Sequence, residues 1–176
     1  MIERVIIAYT DGSAVVNGKD AGKSGFGAYF PDLFGKKKAY SLGYKQGKTG
    51  QMEVTALLYA IKAIPKERTT PTRLIVYSDS EYVVKSFTEH RLKKWIANDW
   101  QNSSGTVANL ELWKQIVGEL HRRRFSLTLE MRHIKSHQVD KEKDPEKKKE
   151  LMKNPHIIGN MMADKLADYK RHKNLI

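Results

Sequence analysis

Four acidic residues occupy positions where a carboxylate is structurally awkward. Asp11 and Asp79 each follow directly on a short hydrophobic run, as residues do where a buried strand ends. If those two strands lie parallel and adjacent, both carboxylates emerge at the carboxyl edge of the sheet, where ligand sites of open α/β sheets gather. Glu53 shares a helix face with apolar residues and should point inward toward the sheet. Asp164 lies among apolar residues in the first half of the last predicted helix.

The chemistry that such a set supports is metal-assisted. Carboxylates at close range repel one another and are costly to bury unless a cation compensates their charge. The chain contains no Cys, so an all-oxygen site favours a hard divalent ion, Mg²⁺ or Mn²⁺. Two such ions about 4 Å apart can clamp the attacking and leaving oxygens of a phosphodiester displacement. One acid at a strand end would be weak evidence, because Asp often only caps a turn.

The charge balance indicates a polyanionic partner. Across 176 residues, 32 Lys and Arg stand against 20 Asp and Glu, which gives a net charge of +12 and a pI near 9.7. Such an excess favours nucleic acid as the partner, although it does not identify the chemistry. The lack of Cys excludes a disulfide scaffold and a cysteine nucleophile, and no apolar run approaches the ~20 residues of a membrane span. We therefore expect a soluble, cytoplasmic, monomeric protein without membrane association.

The hydrophobic pattern predicts a single α/β domain over residues 1–176. Strands at 4–11, 24–30 and 37–44, joined by short connections, predict an antiparallel meander. A helical period from Glu53 to Pro65 and a compact apolar run at 74–77 predict a helix and a buried strand. Further helices are expected at about 80–88, around Trp95, at 110–121 and at 158–170, with a strand at 125–131. This order predicts a five-stranded mixed sheet, three antiparallel strands and then two parallel additions, flanked by helices.

A charged insertion at about 138–157 interrupts this plan. Its central stretch, residues 140–153, holds six Lys and five acids, so its net charge is only +1. That balance favours a solvated loop, partly helical around 146–152, over a nucleic-acid patch. Just before it, His133 is in phase with the last strand and is expected to pack there, whereas His137 falls beyond the strand in a polar loop.

Taken in order along the chain, these residues resemble the motifs of type 1 ribonuclease H. The resemblance rests on Thr10-Asp11-Gly12-Ser13, Met52-Glu53, Ser78-Asp79-Ser80 with Tyr82, Asn109-Leu110-Glu111-Leu112-Trp113, Ser136-His137 and Asn160-x-x-x-Asp164-x-Leu166-Ala167. It covers nearly the whole chain, from residue 5 to about residue 170. It implies a ribonuclease H-like fold and an endonuclease that cleaves the RNA strand of RNA–DNA hybrids. It also implies two Mg²⁺ ions, with Mn²⁺ as the alternative, and products with 5′-phosphate and 3′-hydroxyl ends.

The resemblance also implies roles for individual residues. The metal ligands would be Asp11, Glu53, Asp79 and Asp164, and His137 would assist proton transfer or product release. Contacts to the hybrid would come from Gly12, Ser13, Asn17, Gln51, Ser80, Trp95, Asn109 and Asn160. Backbone groups of the turn at 11–16, together with Glu53, would read the 2′-hydroxyl groups that separate RNA from DNA.

Several alternatives stay open from the sequence. Asp168 lies one helical turn beyond Asp164 and could face the same way, although Asn160 favours Asp164 as the ligand. Trp95 is either a stacking contact for nucleic acid or a core residue. The chain could also be another nuclease of the same superfamily, such as an exonuclease or a resolvase, or a noncatalytic hybrid-binding module. The acidic set argues against a module, since binding alone needs positive charge.

Overall fold

A computed structural model describes residues 3–66, 70–173 and 175–176 of the chain. The strands are β1 (Arg4–Ala14), β2 (Ser24–Phe30), β3 (Lys38–Tyr44), β4 (Thr72–Ser78), β5 (Gln101–Asn102), β6 (Gly105–Thr106) and β7 (Leu127–His133). The helices are α1 (Thr49–Lys62), α2 (Glu81–Thr88), α3 (Arg91–Ala97), α4 (Leu110–Arg122), α5 (Gln138–Lys141), α6 (Pro145–Leu151) and α7 (Pro155–His172).

The main sheet has five strands in the order β3-β2-β1-β4-β7. β1, β2 and β3 are antiparallel neighbours, whereas β4 runs parallel to β1 and β7 runs parallel to β4. This arrangement confirms the predicted mixed sheet of three antiparallel strands and two parallel additions. The small β5–β6 hairpin, which follows α3, was not predicted.

Helices cover both faces of the sheet. Alternate residues of β1 face opposite sides, so Ile6 and Ala8 join one core cluster and Tyr9 joins another. The larger cluster packs the sheet against α1 and α4 and includes the fully buried Leu57 and Trp113. Full burial of a Leu side chain contributes about 1.5–3 kcal/mol to folding. Helix α7 covers the opposite face and contacts β2, β1 and β3.

Three glycines let α7 lie directly against the sheet backbone. A Cβ atom added at Gly27 would lie 2.3 Å from the carbonyl oxygen of Ala163, and one at Gly25 would lie 2.5 Å from that of Ala167. A Cβ atom at Gly43 of β3 would lie 2.0 Å from the carbonyl oxygen of Lys170. Real Cβ atoms do not approach this closely, so glycine at these positions sets how near α7 comes to β2 and β3.

The start of α7 differs from the sequence prediction. The helix begins at Pro155, three residues before the predicted start, because the Asn154 side chain accepts a hydrogen bond of 2.9 Å from the backbone N–H of His156. Asn at the N-cap followed by Pro at the first helical position is a strong start signal. The charged insertion is therefore largely helical: Asp144 caps α6 in the same way, and α6 confirms the helix expected around 146–152.

Two expectations for the last strand were wrong. β7 begins at Leu127 rather than at residue 125, and the Phe125 side chain is 86% exposed in the turn before it, with the Arg124 guanidinium 4.3 Å from its ring centre. His133 ends the strand and is exposed rather than packed. The alternating pattern thus identified the strand but extended it by one alternation into the preceding turn.

The residues that follow α7 return to the edge of the sheet. The backbone N–H of Ile176 donates to the carbonyl oxygen of Gly43 over 2.9 Å, and the N–H of Lys45 donates to Ile176 over 3.0 Å. Leu175 and Ile176 thereby pair with the outer side of β3. Within the described residues, no helix is long and apolar enough to cross a membrane.

The close contact between α7 and β2 predicts a specific stability change. Gly27→Ala should destabilise the protein by about 1–3 kcal/mol, because the added methyl overlaps the α7 backbone. Urea unfolding followed by circular dichroism measures this free energy. Gly118→Ala in α4 is the matched control, since nothing but the Arg122 side chain, at 3.9 Å, lies near its added Cβ. That control should gain up to about 1 kcal/mol from helix propensity. Equal stability of Gly27→Ala and the wild type would contradict the packing described above.

Candidate active site

Asp11 and Asp79 lie side by side because of the register between β1 and β4. The last parallel pair joins Thr10 to Ser78, and each acid is the next residue along its strand. The prediction that β1 ends at residue 11 was wrong, because β1 continues to Ala14 and pairs Asp11 with Gly27 of β2. The expected shared edge nevertheless exists, since the pairing with β4 stops where β4 itself ends.

Asp164 joins this edge from α7. Gly27, opposite Asp11, admits the α7 backbone at Ala163, so the next residue of the helix comes within hydrogen-bonding contact of the Asp11 carboxyl group. Asp168, the alternative from the sequence, instead forms an ion pair of 2.5 Å with Arg171 and has a side chain that is 51% exposed. The structure therefore favours Asp164 over Asp168.

Glu53 reaches the same edge from α1. An added Cβ atom at Gly12 would lie 2.2 Å from the backbone nitrogen of Glu53, so the first turns of α1 pack directly on β1. The Ser80 hydroxyl donates a hydrogen bond of 2.6 Å to Glu53 Oε2 and accepts one of 3.3 Å from the N–H of Val83. Ser80 thus caps α2 and orients Glu53, which is a different role from the substrate contact expected of it.

Burial and mutual repulsion disfavour the charged forms of these acids. Burial, followed by the negative charges of Asp79 and Asp164, raises the pKa of Asp11 to about 9, although a hydrogen bond of 2.7 Å from the N–H of Gly12 opposes this. Burial also raises the pKa of Asp79 against an opposing backbone hydrogen bond, and the Asp164 charge adds to the effect. Burial raises the pKa of Glu53, while the hydrogen bond from Ser80 lowers it.

The donor set fits a hard divalent cation. All four side chains supply oxygen, and a nearby cation would relieve the repulsion that helps to raise the pKa of Asp11, Asp79 and Glu53. Asn160 of α7 is 5% exposed, and its Oδ1 atom is buried without a hydrogen-bond partner. Among the described residues, however, no three acidic or histidine side chains already form a closed metal cage. The acids lie at one edge of the sheet and their charges affect one another. They fit a divalent ion because they are oxygen ligands of negative charge, not because they already form a coordination shell.

His137 lies beside this edge in an exposed loop. Its backbone is left-handed, with φ of 51°, and its Nδ1 atom lies 3.3 Å from Asp140 Oδ2. A small cavity of about 70 Å³ is lined by His137 together with Asp79, Asn160 and Asp164. The attraction between His137 and Asp79 lowers the pKa of that acid. The structure therefore places His137 within electrostatic reach of the carboxylates.

Two of the expected hybrid contacts share a groove next to the acids. Gln51 and Asn109 line this groove of about 820 Å³, together with Val16, Lys48 and Thr49. Asn17 is exposed on the adjoining turn, and Asn109 has a left-handed backbone at the start of α4.

Ser13, Gly12 and Trp95 have other contacts in the structure. Ser13 accepts a hydrogen bond of 2.7 Å from Arg171 of α7, and Gly12 packs on α1 as described above. The Trp95 side chain is half-buried. Its ring centroid lies 5.6 Å from the ring centroid of Trp113 and 6.5 Å from the ring centroid of Tyr82. Trp95 therefore belongs to an aromatic cluster, with only part of its side chain left for solvent.

Two residues that surround the site were not identified from the sequence. Arg171 links α7 to Ser13, and its spacing of seven from Asp164 places both on one helix face, a signal that the charge pattern could have provided. His156 contacts the hydroxyl groups of Tyr9 and Tyr77 beneath the acids. Burial, and then the neighbouring Tyr77 and Tyr29, raises the pKa of Tyr9 to about 12. No local pattern connects His156 to strands 147 and 79 residues away.

Comparison with known proteins gives consistent matches. The RNase H family model matches residues 3–171. Ribonuclease H of Chlorobaculum parvum is 35% identical over 128 residues, which cover 70% of this chain and 82% of that protein. The solution structure of the PFV RNase H domain superposes with a TM-score of 0.67 at 24% identity, covering 95% of this chain and 94% of that one.

A larger solved protein contains the same fold. The foamy viral protease-reverse transcriptase in complex with RNA/DNA hybrid matches with a TM-score of 0.70 at 22% identity. The match covers 95% of this chain and 20% of that polypeptide. At these identities, the two structural matches establish the fold.

The pairing of Asp164 with the other acids predicts a difference between two neighbouring acids of α7. Asp164→Asn should weaken Mn²⁺ binding about 10- to 100-fold, because it removes a carboxylate that faces Asp11. Asp168→Asn is the matched control and should bind Mn²⁺ like the wild type, because its partner is Arg171. Isothermal titration of the metal into each variant measures the affinities. Equal affinities for the two variants would remove Asp164 from the ligand set.

The raised pKa of Asp11 predicts how stability depends on pH in the metal-free protein. The unfolded chain loses this proton near the ordinary value of 3.8, whereas the folded chain keeps it up to about 9. The folded state therefore binds more protons within that window, and stability falls as the pH rises through it. Asp11→Asn removes this dependence, so its gain in Tm over the wild type should be larger at about pH 8 than at about pH 5. Calorimetry in EDTA measures both differences, and equal gains at the two pH values would contradict the assignment.

Proposed function

This chain belongs to the ribonuclease H family, and on that premise we propose that it is an endonuclease that hydrolyses the RNA strand of RNA–DNA hybrids. The products would carry 5′-phosphate and 3′-hydroxyl ends. One observation carries the proposal. Four carboxylates interact at one edge, two from strands β1 and β4 and two from helices α1 and α7, and burial and repulsion there raise the pKa of Asp11, Asp79 and Glu53.

The carboxylates of Asp11, Glu53, Asp79 and Asp164 are the residues that would hold the metal. When bound, two divalent ions would lower the pKa of water and stabilise charge on the attacking and leaving oxygens of the phosphodiester. We propose Mg²⁺ as the ion, with Mn²⁺ as the alternative. The contribution of the protein is to hold the acids at one edge despite their repulsion, and the sheet register, Gly27 and Ser80 provide that restraint.

His137 is the proposed proton carrier. It lies in an exposed loop, is half exposed, and lines a cavity with Asp79 and Asp164. A histidine that is open both to solvent and to the acids can pass a proton between solvent and a group bound there. We therefore assign it to proton transfer or product release, while the acids bind and orient.

Recognition of the hybrid is proposed for the groove beside the acids. Gln51 and Asn109 offer amide groups there, and Lys48 adds a positive charge. The backbone between Asp11 and Val16 adjoins this groove and presents polar groups to the 2′-hydroxyls. The net charge of +12 supports attraction to the polyanion without selecting a sequence. The partially exposed Trp95 is the proposed contact toward the DNA strand.

Two other functions from the sequence analysis are less well supported. A noncatalytic hybrid-binding module gains nothing from buried acids that repel both one another and phosphate. Another superfamily nuclease, an exonuclease or a resolvase, would use similar carboxylates, and the family match over residues 3–171 favours the hybrid-specific endonuclease instead. The cytoplasmic location and the monomeric state stay predictions.

A substrate panel tests the proposal. With Mg²⁺, the wild type should cut internally labelled RNA only when it is paired with DNA, and should leave duplex DNA, duplex RNA and single-stranded RNA intact. Asp11→Asn should lose cleavage by at least about 10³-fold while binding the hybrid with similar affinity, because the acid supports chemistry rather than attraction. Denaturing gels measure cleavage, and filter binding measures affinity. Cleavage of duplex DNA, or release of terminal nucleotides only, would favour the alternative nucleases.

A further inference from the structure

A layer of aromatic side chains lies directly beneath the carboxylates. Tyr9 precedes Asp11 by two residues and Tyr77 precedes Asp79 by two residues, so each tyrosine faces the same side of the sheet as its acid. The tyrosine rings stack on each other with centroids 5.5 Å apart. A residue of α7 that contacts this tyrosine pair therefore also helps to position the acids.

His156 is the α7 residue that contacts both tyrosines. The Tyr9 hydroxyl lies 2.8 Å from His156 Nδ1, and the Tyr77 hydroxyl lies 3.4 Å from His156 Nε2. The imidazole also stacks on the Tyr77 ring, with centroids 4.2 Å apart and an angle of 26° between the planes. With the Tyr9 hydroxyl donating to Nδ1, a neutral imidazole carries its proton on Nε2, toward Tyr77.

The position of His156 along α7 connects this contact to the acids. His156, Asn160 and Asp164 are spaced by four residues, so they occupy one face of the helix. Gly159, on the turn between the first two, lies against the Tyr9 ring, since an added Cβ atom would be 2.3 Å from that ring. The rotation and depth of the helix at its first turn are therefore fixed by contacts to Tyr9 and Tyr77.

The contacts of His156 attach the first turn of α7 to the sheet. In and just after α6, the ion pairs that the described residues form are local ones, Glu146 with Lys149 and Glu150 with Lys153. Within the first turn of α7, residues 155–158, the described side-chain hydrogen bonds to the sheet are those of His156 to Tyr9 and Tyr77. Farther along α7, Asn160 and Asp164 contact Asp79 and Asp11 at the site itself, and Arg171 donates to Ser13 two turns beyond Asp164.

We propose that His156 is a positioning residue for catalysis: its contacts with Tyr9 and Tyr77 set the rotation of α7 that brings Asn160 and Asp164 to the other acids. The inference rests on the proposed function, because it concerns the same site. It adds a residue that touches neither substrate nor metal. Loss of the contact lets the first turns of α7 shift, and a shift of about 1 Å at a reacting centre can cost about 10²-fold in rate.

Two single substitutions separate positioning from general packing. His156→Phe keeps a flat ring that can stack on Tyr77 but accepts no hydrogen bond from Tyr9. Tyr9→Phe removes only the hydroxyl on the other side of the same bond. Each should lower kcat about 10- to 100-fold and raise the metal concentration needed for half-maximal rate, with KM for the hybrid nearly unchanged. The double variant should be no slower than the worse single variant, since both remove one interaction.

The controls distinguish failure of this inference from failure of the proposed function. His121→Phe makes the same chemical change at an exposed position of α4 and should leave kcat unchanged. His156→Gln can still accept a hydrogen bond from Tyr9 and should recover part of the lost kcat. Mn²⁺ affinity, measured by titration calorimetry, gives a readout independent of turnover.

Three outcomes decide the matter. If the wild type cleaves the hybrid and both His156→Phe and Tyr9→Phe keep the wild-type kcat and Mn²⁺ affinity, the positioning role is wrong. If kcat falls only in proportion to the unfolded fraction seen by circular dichroism, His156 is a packing residue and the inference also fails. If the wild type does not cleave the hybrid but the variants still lose Mn²⁺ affinity, the proposed function fails and the positioning of the metal site stands. Should His156→Phe not fold, Tyr9→Phe alone decides.

Discussion

The repulsion between carboxylates held at one edge of the sheet is the interaction on which this structure depends. Burial and the nearby charges of Asp79 and Asp164 disfavour the charged form of Asp11 and raise its pKa to about 9. The hydrophobic contacts of α7 do not depend on the charge of the acids. They must therefore supply the free energy that keeps Asp164 against Asp11. The folded protein keeps this unfavourable repulsion between carboxylates, which a bound divalent cation would reduce.

Backbone geometry rather than side-chain attraction brings the acids together. Asp11 and Asp79 meet because the parallel register ends at Thr10 and Ser78, and Asp164 meets them because Gly27 has no side chain to keep α7 away. Two polar anchors then fix the ends of α7, His156 near its start and Arg171 near its end. Gly27, His156 and Arg171 are not metal ligands, yet they set where the ligands lie. The geometry of the site therefore depends on residues that take no direct part in the reaction.

Much of this could be predicted from the sequence, because the signals are local. The mixed five-stranded sheet, the helix that carries Glu53 and the prediction that these acids share an edge follow from hydrophobic periodicity and from acids placed after apolar runs. Asn160, four residues before Asp164, favoured Asp164 over Asp168 as the ligand, and in the structure Asp168 pairs with Arg171 instead. The errors are of another kind. β1 continues past Asp11 because β2 pairs with it there, and Phe125 is exposed although it fits the strand alternation. Both outcomes, like the contact of His156 with Tyr9, depend on partners that are distant in sequence. The hydrophobic period of one segment contains no information about such partners.

The pairing of Leu175 and Ile176 with the outer side of β3 has a consequence for how these molecules behave at high concentration. An uncovered strand offers a row of free amide and carbonyl groups, onto which a strand of a neighbouring molecule can add. Here the hydrogen bonds of Gly43 and Lys45 to Ile176 occupy the carboxyl end of that row. Trimming these two residues would leave the carboxylates untouched, yet it would expose a template for self-association. Leu175 and Ile176 thus cover part of a strand edge that would otherwise be open to a neighbouring molecule.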